Sequence, residues 1–392
     1  MRPKKQPISK PPARRVAVLV DTSTDWSRRV IAGIVKFVDK HAAWQLFIEP
    51  RGAGEPLELP RGWVGDGVIA RVISERMSQS LHARRLPVVN VSAIHTPGPE
   101  FPRVTSDVAG VARMAVNYFL DRGFRHFAYL SLRGLEYAVR QRDAFVEAVQ
   151  AAGCDCVQHG VKTHEGVQAP DWNLSIETMA AWLATLPKPV AILTWSGGRE
   201  VIHACDYAGF RVPEEVALLT GSDDLLCSAS HIPISAVEGS CERIGYEAAL
   251  LLDRLMEGRK APGKPKLIPP LAVITRQSTN TLAIADPNLV KALSYIRENA
   301  SNPIPIGAVA THAGIARREL EIRFKKVLGR SPGEHIRRVH LDRAKKLLAE
   351  SDLPIPDVAD AAGFGSPVYM AYFFRREVGI TPLRYRREAR AR

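Results

Sequence analysis

Arg317, Arg318, Glu321 and Lys325 recur at the spacing of one helix face, and Ser366, Val368, Tyr372 and Arg375 occupy matching places farther along the chain. These side chains suit the reading of DNA. Arginine bridges guanine O6 and N7, glutamate accepts from cytosine N4, and each good pair is worth about 1–3 kcal/mol of base discrimination. Val368 and Tyr372 suit apolar contact with thymine methyl groups. Lys325 and its neighbour Lys326 suit phosphate, which sets register and carries no sequence information. Ser366 is a natural helix N-cap, with Pro367 at the first helical position.

The elements that must position these residues are written twice. The first copy runs Ile306, Val309, Ala310, Ala313, Gly314, Phe324, Lys326, Gly329, Pro332; the second runs Ile355, Val358, Ala359, Ala362, Gly363, Phe374, Arg376, Gly379, Pro382. Each copy reads as a short amphipathic helix, a glycine turn and a second helix ending in a basic pair, the helix-turn-helix unit. Leu320, Phe324 and Val327 in one copy, and Met370 and Phe374 in the other, face inward. Ala316 supplies no side-chain cap to the first probing helix. A helix from Pro332 to Glu350 joins the copies, so the two probes should enter major grooves about one helical turn apart.

The chain has 392 residues and a formal net charge of +13. The excess charge sits at the two ends, a basic stretch at 1–15 and a basic region at 286–392, which is the footprint of phosphate binding at the C-terminal end. Residues 1–15 are also rich in proline and have no apolar segment behind the charges, so they read as a disordered arm and not a secretory signal. No apolar run reaches the roughly 20 residues needed to span a bilayer, and a cytoplasmic location is expected. Cys154, Cys156, Cys205, Cys227 and Cys241 form no CxxC pair and no Cys/His ligand spacing, so reduced structural roles are expected and no metal.

Between these ends, apolar runs alternate with helical periods. Strands are expected at 16–20, 46–48, 67–70, 86–91, 127–130, 190–193, 216–219, 234–237 and 271–275. Helices are expected at 27–40, 75–84, 108–122, 135–152, 198–208 and 241–256. This alternation predicts parallel sheets covered on both faces, long enough for two lobes. The domains expected are the arm at 1–15, an α/β domain at 16–275, a linker at 276–287 and an all-α domain with two helix-turn-helix motifs at 288–392. In open α/β sheets ligands bind beyond the C-terminal ends of strands. The polar and aromatic residues there are Asp21 with Trp26, Asp107, Arg140 and Arg142, Trp195, and Asp223. Capping of the following helix accounts equally well for Asp107, and it is the alternative role for Asp223.

Gly363-Phe364, Ser366, Tyr369, Phe374-Arg375-Arg376, Gly379, Thr381-Pro382 and Tyr385-Arg386 resemble the DNA-binding domain of AraC-type transcription regulators. The α/β region resembles the sensors of LacI-type repressors and periplasmic sugar-binding proteins. Sensor first and AraC-type domain last is an order similar to the family of xylose operon regulators, as are Trp44–Glu49, Gly65–Ala70 and Asp286-Pro287. The resemblance implies that Arg318, Glu321, Val368 and Tyr372 read bases, that Asp223 binds a sugar and that Arg142 faces the ligand. It also marks a departure: Trp195 stands where the family commonly has an aspartate, and an indole can stack on a sugar ring but cannot accept bonds from its hydroxyls.

The partners implied are double-stranded DNA, a small carbohydrate such as xylose, a second copy in a homodimer and RNA polymerase, with no cofactor and no membrane. The alternative is a DNA-binding regulator whose α/β domain is a dimerisation scaffold without ligand. GxxxxGK[ST], GxGxxG and HExxH are all missing from the sequence, so an enzyme is not expected.

Overall fold

The computed structural model describes residues 13–52, 55–133, 136–162, 172–284 and 286–390. They divide into two compact units, one built from the described residues up to Thr105 plus Cys241–Ile268, the other from the described residues between Ser106 and Ser240 plus those from Pro269 onward.

In chain order the first unit opens with β1 (Arg14–Leu19), α1 (Asp25–His41), β2 (Trp44–Ile48), β3 (Gly67–Ala70), α2 (Glu75–Ala83) and β4 (Val88–Asn90), and β5 (Val104–Ser106) stands at its boundary. The second unit continues with α3 (Val108–Leu120), β6 (His126–Arg133), α4 (Glu136–Ala151), β7 (Cys156–Lys162), α5 (Trp172–Thr185), β8 (Val190–Thr194), α6 (Gly198–Ala208), β9 (Val216–Thr220), α7 (Leu225–Ala229) and β10 (Ser235–Glu238). The chain then returns to the first unit as α8 (Cys241–Met256) and β11 (Lys266–Ile268), which pairs with β5. It finishes in the second unit with β12 (Ala272–Ile274), a 3-10 turn at Gln277–Thr279, and seven helices: α9 (Pro287–Glu298), α10 (Ile306–Ala313), α11 (Arg317–Leu328), α12 (Pro332–Glu350), α13 (Ile355–Ala361), α14 (Pro367–Val378) and α15 (Pro382–Arg390).

The first sheet has the order β2-β1-β3-β4, all parallel. The second has the order β12-β10-β9-β8-β6-β7, parallel except where β12 runs against β10. Every residue of β3, β8 and β9 is buried, as expected of parallel strands covered on both faces. α1 starts at Thr24, whose side chain accepts from the Ser27 amide, and buries Val30, Ile34 and Phe37 at helical spacing. β7 and α5 extend the pattern beyond what the alternation of apolar runs predicts. β7 is an edge strand of mixed residues with Val157 exposed, so it carries no apolar run. α5 does carry a readable period, with Ile176, Met179, Ala180 and Leu183 buried.

Two expected boundaries move. The arm at 1–15 lies outside the described residues up to 12, and Arg14 and Arg15 belong to β1, where Arg14 pairs with Asp253 at 3.2 Å. The polar stretch from 276, which reads as a linker, packs into the α/β lobe as far as Thr279. Its hydroxyls satisfy buried backbone: Ser278 Oγ donates to the Leu218 carbonyl at 2.6 Å and accepts from the Ser235 amide at 2.9 Å.

The C-terminal helices form two small cores sharing α12. Leu289, Leu293, Val309, Leu320, Phe324 and Ile336 make one; Leu341, Leu348, Val358, Met370, Phe374 and Tyr385 make the other. α12 is started by a complete capping box between Ser331 and Glu334, with Pro332 at its first position. The turns after α10 and α13 need left-handed backbone, and glycine supplies it: Gly314 has φ of 70° and Gly363 has φ of 77°. At Gly363 there is no room either, because a Cβ would lie 2.7 Å from the Asn302 carbonyl. Among the described residues no helix is long and apolar enough to cross a membrane.

Candidate functional site

The two probing helices are α11 and α14. Each is preceded by a short helix and a glycine turn, and each ends on a glycine in the left-handed region, Gly329 or Gly379. Burial of Leu320, Phe324 and Leu328 on α11 turns Arg317, Arg318 and Lys325 to solvent. Glu321 is half-buried and accepts from Arg317 Nε at 3.0 Å, so the two hold one another along the helix. Lys325 donates to the Gly329 carbonyl at 3.3 Å, placing its charge at the negative end of the helix. On α14, burial of Met370, Phe373 and Phe374 leaves Val368 81% and Tyr372 63% exposed, with Arg375 also exposed. Ser366 caps α14 through the Tyr369 amide at 3.3 Å, and Ala316 makes no such bond to α11. Ile322 on α11 is 58% exposed and was not among the expected site residues. A lone isoleucine in the charged run Arg317–Lys326 is the signal that marks it.

The helix-turn-helix region is docked on the α/β lobe of its own unit through charge. Asp121 is the C-cap of α3, where a carboxylate meets the negative end of the helix. Arg330 and Arg338 offset this from the other side, Arg338 at 3.3 Å, and Arg125 donates to the Val327 carbonyl at the end of α11. Leu271, next to β12, is buried in the core around α14, and Tyr385 Oη donates to its carbonyl at 3.4 Å.

Each of the two units carries candidate sensor residues. In the first, Asp21 follows β1 and Arg71 follows β3, so the parallel register brings them to one sheet edge, where they pair at 2.6 Å. Ser23 Oγ at 2.7 Å and Ser27 Oγ at 3.1 Å also donate to Asp21. Burial raises the Asp21 pKa, but these hydrogen bonds and the Arg71 charge outweigh it and hold the carboxyl below its usual range. The Arg71 guanidinium lies 5.4 Å from the centre of the Trp26 ring.

In the second unit, Thr194 and Thr220 stand level at the ends of β8 and β9, so the loops carrying Trp195 and Asp223 start side by side. The Trp195 ring lies over Gly221, where a Cβ would meet it at 2.3 Å. Asp223 is held by both Arg276 Nη atoms, at 2.7 and 3.2 Å, and it is Asp224 that caps α7. Asp107 does cap its helix, accepting from the Gly110 amide at 2.8 Å, and it also meets Arg113 at 3.5 Å. Arg142 is half-buried on α4 and donates to its neighbour Asp143 at 2.8 Å, while Arg140 is exposed. Arg71 and Arg276, which orient two of the carboxylates, carry no sequence signal of their own, since their partners are distant in the chain.

Residues 15–111 match the XylR N-terminal domain family, 116–279 the periplasmic binding protein-like domain family, and 309–388 a helix-turn-helix domain family. The chain is an AraC-type transcription regulator with a periplasmic-binding-protein-like sensor. The xylose operon regulatory protein of Haemophilus influenzae is 28% identical over 384 residues, spanning 95% of this chain and 98% of that protein. That of Escherichia coli K12 is 28% identical over 95% of this chain and 96% of its own length. A solved xylose-binding transcription activator has 27% identity and a TM-score of 0.60 over 96% of this chain and 98% of its own. A LacI family regulator from Bifidobacterium animalis, at 20% identity and a TM-score of 0.54 over 69% of this chain and 99% of its own, shares the sensor fold.

The regulator also buries a histidine between its probes. His335 on α12 is buried, with its ring 5.9 Å from that of Phe324. Burial, then the charges of Arg330, Arg338, Arg122 and Arg297, push its pKa from 6.5 down to about 3. Below 6.5 the unfolded chain takes up a proton that the folded chain refuses. Stability is therefore present above that pH and is lost as the pH falls from 6.5 toward 3. Between pH 7 and 5 wild type should lose about 2 kcal/mol more than His335→Gln, measured from urea midpoints. Equal losses in the two proteins would show that the ring is not buried in its neutral form.

Proposed function

We infer that this regulator binds specific DNA as a homodimer in the cytoplasm, changes its grip when a pentose such as xylose enters the sensor, and controls sugar catabolism genes with RNA polymerase as a further partner. The observation that carries this is likeness to xylose operon regulatory proteins along 95% of the chain, sensor and probes together. Arg317, Arg318, Glu321, Ser366, Val368, Tyr372 and Arg375, with Ile322 added, serve as the base-reading and positioning set, and Lys325 meets phosphate. In the second unit Asp107 and Asp223 accept hydrogen bonds from sugar hydroxyls, Arg142 donates, and Trp195 covers an apolar ring face; in the first unit Asp21 is the candidate acceptor. Stacking in place of the family's aspartate predicts a different preference among pentoses from that of the relatives. A ligand can shift the DNA-binding state only through unequal affinity for two conformations.

The test is DNA affinity on upstream fragments of neighbouring genes, at several salt concentrations, with and without xylose, arabinose and ribose. At least one pentose should change affinity several-fold. Tight DNA binding that ignores every sugar would favour the ligand-free dimerisation scaffold instead. In the same assay Arg318→Ala should relax preference at one base pair, costing about 1–3 kcal/mol on the cognate site. Lys325→Ala should weaken all sequences alike and reduce the salt slope by about one. Equal effects of the two substitutions on cognate and random DNA would overturn the assigned groove-facing side.

A further inference from the structure

We propose that His203, Asp206 and His231 form a binding site for a divalent transition-metal ion of the zinc class on the α/β lobe of the second unit. His203 and Asp206 stand three residues apart on α6 and so share one face, opposite the buried Val201, Ile202, Ala204 and Cys205. His231 comes from the segment between α7 and β10. That segment is fixed from both sides: Cys227 is buried, and the Ile234 amide donates to the Cys227 carbonyl at 2.8 Å. Both ligand-bearing segments are therefore anchored in the core beneath, and only the side chains need to adjust.

One ligand atom from each residue lies within 4.8 Å of the other two. His231 Nε2 and Asp206 Oδ2 are 2.8 Å apart, and the two imidazole rings are 5.7 Å apart, tilted by 32°. A tetrahedral ion with bonds of about 2.0–2.1 Å holds its ligand atoms about 3.4 Å apart. Rotation of three side chains at the surface covers that difference. Two imidazoles and one carboxylate are ligands that zinc, cobalt and nickel accept, and they leave room for water. On binding, the metal takes the place of the proton shared by Asp206 and His231, which passes to solvent or to the other ring nitrogen. The oxidation state of the ion does not change. Sequence spacing cannot reveal this site, because the third ligand is brought in by the strands and not by the helix.

The full-length regulator, stripped with chelator and desalted, is titrated with zinc chloride and separately with cobalt chloride by calorimetry. One ion per chain should bind at micromolar or lower concentration, and excess zinc should raise the melting temperature. Asp206→Asn, which keeps the shape of the site, and the double variant His203→Asn/His231→Asn should each weaken binding at least tenfold and remove most of the thermal shift. Cobalt should give weak visible bands with no thiolate charge-transfer band. Wild-type affinity in both folded variants, no binding to wild type, or a thiolate signature pointing to the cysteines would each overturn the site.

Discussion

Gly33→Ala is expected to destabilise the first unit by about 3 kcal/mol, the large end of what overpacking costs. α1 and α8 cross at Gly33 and Gly245, face to face. A Cβ on residue 33 would lie 1.8 Å from the Glu242 carbonyl oxygen, and one on residue 245 would lie 1.9 Å from the Val30 carbonyl oxygen. Both obstacles are backbone, so neither can swing aside. Intrinsic preference acts in the opposite direction, since alanine is favoured over glycine inside a helix by about 1 kcal/mol. Gly307→Ala measures that preference alone: residue 307 is exposed on α10, and a Cβ there meets nothing within 4 Å. Urea unfolding should therefore show a lower midpoint for Gly33→Ala and an equal or higher one for Gly307→Ala. A gain in both would mean that the two helices do not touch through their glycines.

Asp121→Asn should separate the α/β lobe from the probing helices and weaken their response to sugar. The substitution removes the charge that faces Arg330 and Arg338, of which Arg330 is the more buried. Burial has already lowered the Arg330 pKa, and the Asp121 charge is what chiefly opposes that. Removing one partner of a buried pair strands the other. With the partial exposure of these groups, a loss of about 2 kcal/mol is expected. Hydrogen exchange should rise at 121–125 and 325–338, and the pentose-dependent change in DNA affinity should shrink. Arg338→Ala, which leaves the Arg330 contact in place, should do less. Unchanged exchange together with an unchanged sugar response would show that α3 does not carry the signal.

Much of this architecture is legible before any coordinates are seen, for local reasons. Gly314, Gly363, Gly329 and Gly379 end helices because only glycine adopts that backbone cheaply, and Ser331-Pro332 and Ser366-Pro367 start them for equally local reasons. Val190–Thr194 and Val216–Thr220 announce themselves as buried strands because a strand covered on both faces has no polar side to show. β7 escapes that reading because an edge strand is asked for less burial. Residues 276–279 look like a linker because hydroxyls prized in loops can equally well serve buried carbonyls.

Thus the chain's own order of residues determined the duplicated probes, the alternating α/β lobes and the loops on which sensor residues sit, since each depends on neighbours a few positions away. Tertiary structure alone decided that Arg71 would hold Asp21, that Arg276 would hold Asp223, that Asp121 would meet Arg330, and that His231 would join His203 and Asp206. Those pairings join residues whose separation in sequence says nothing of their distance in space. They come about where parallel strands end at one edge and where helices, capped and packed, leave a charge in need of a partner.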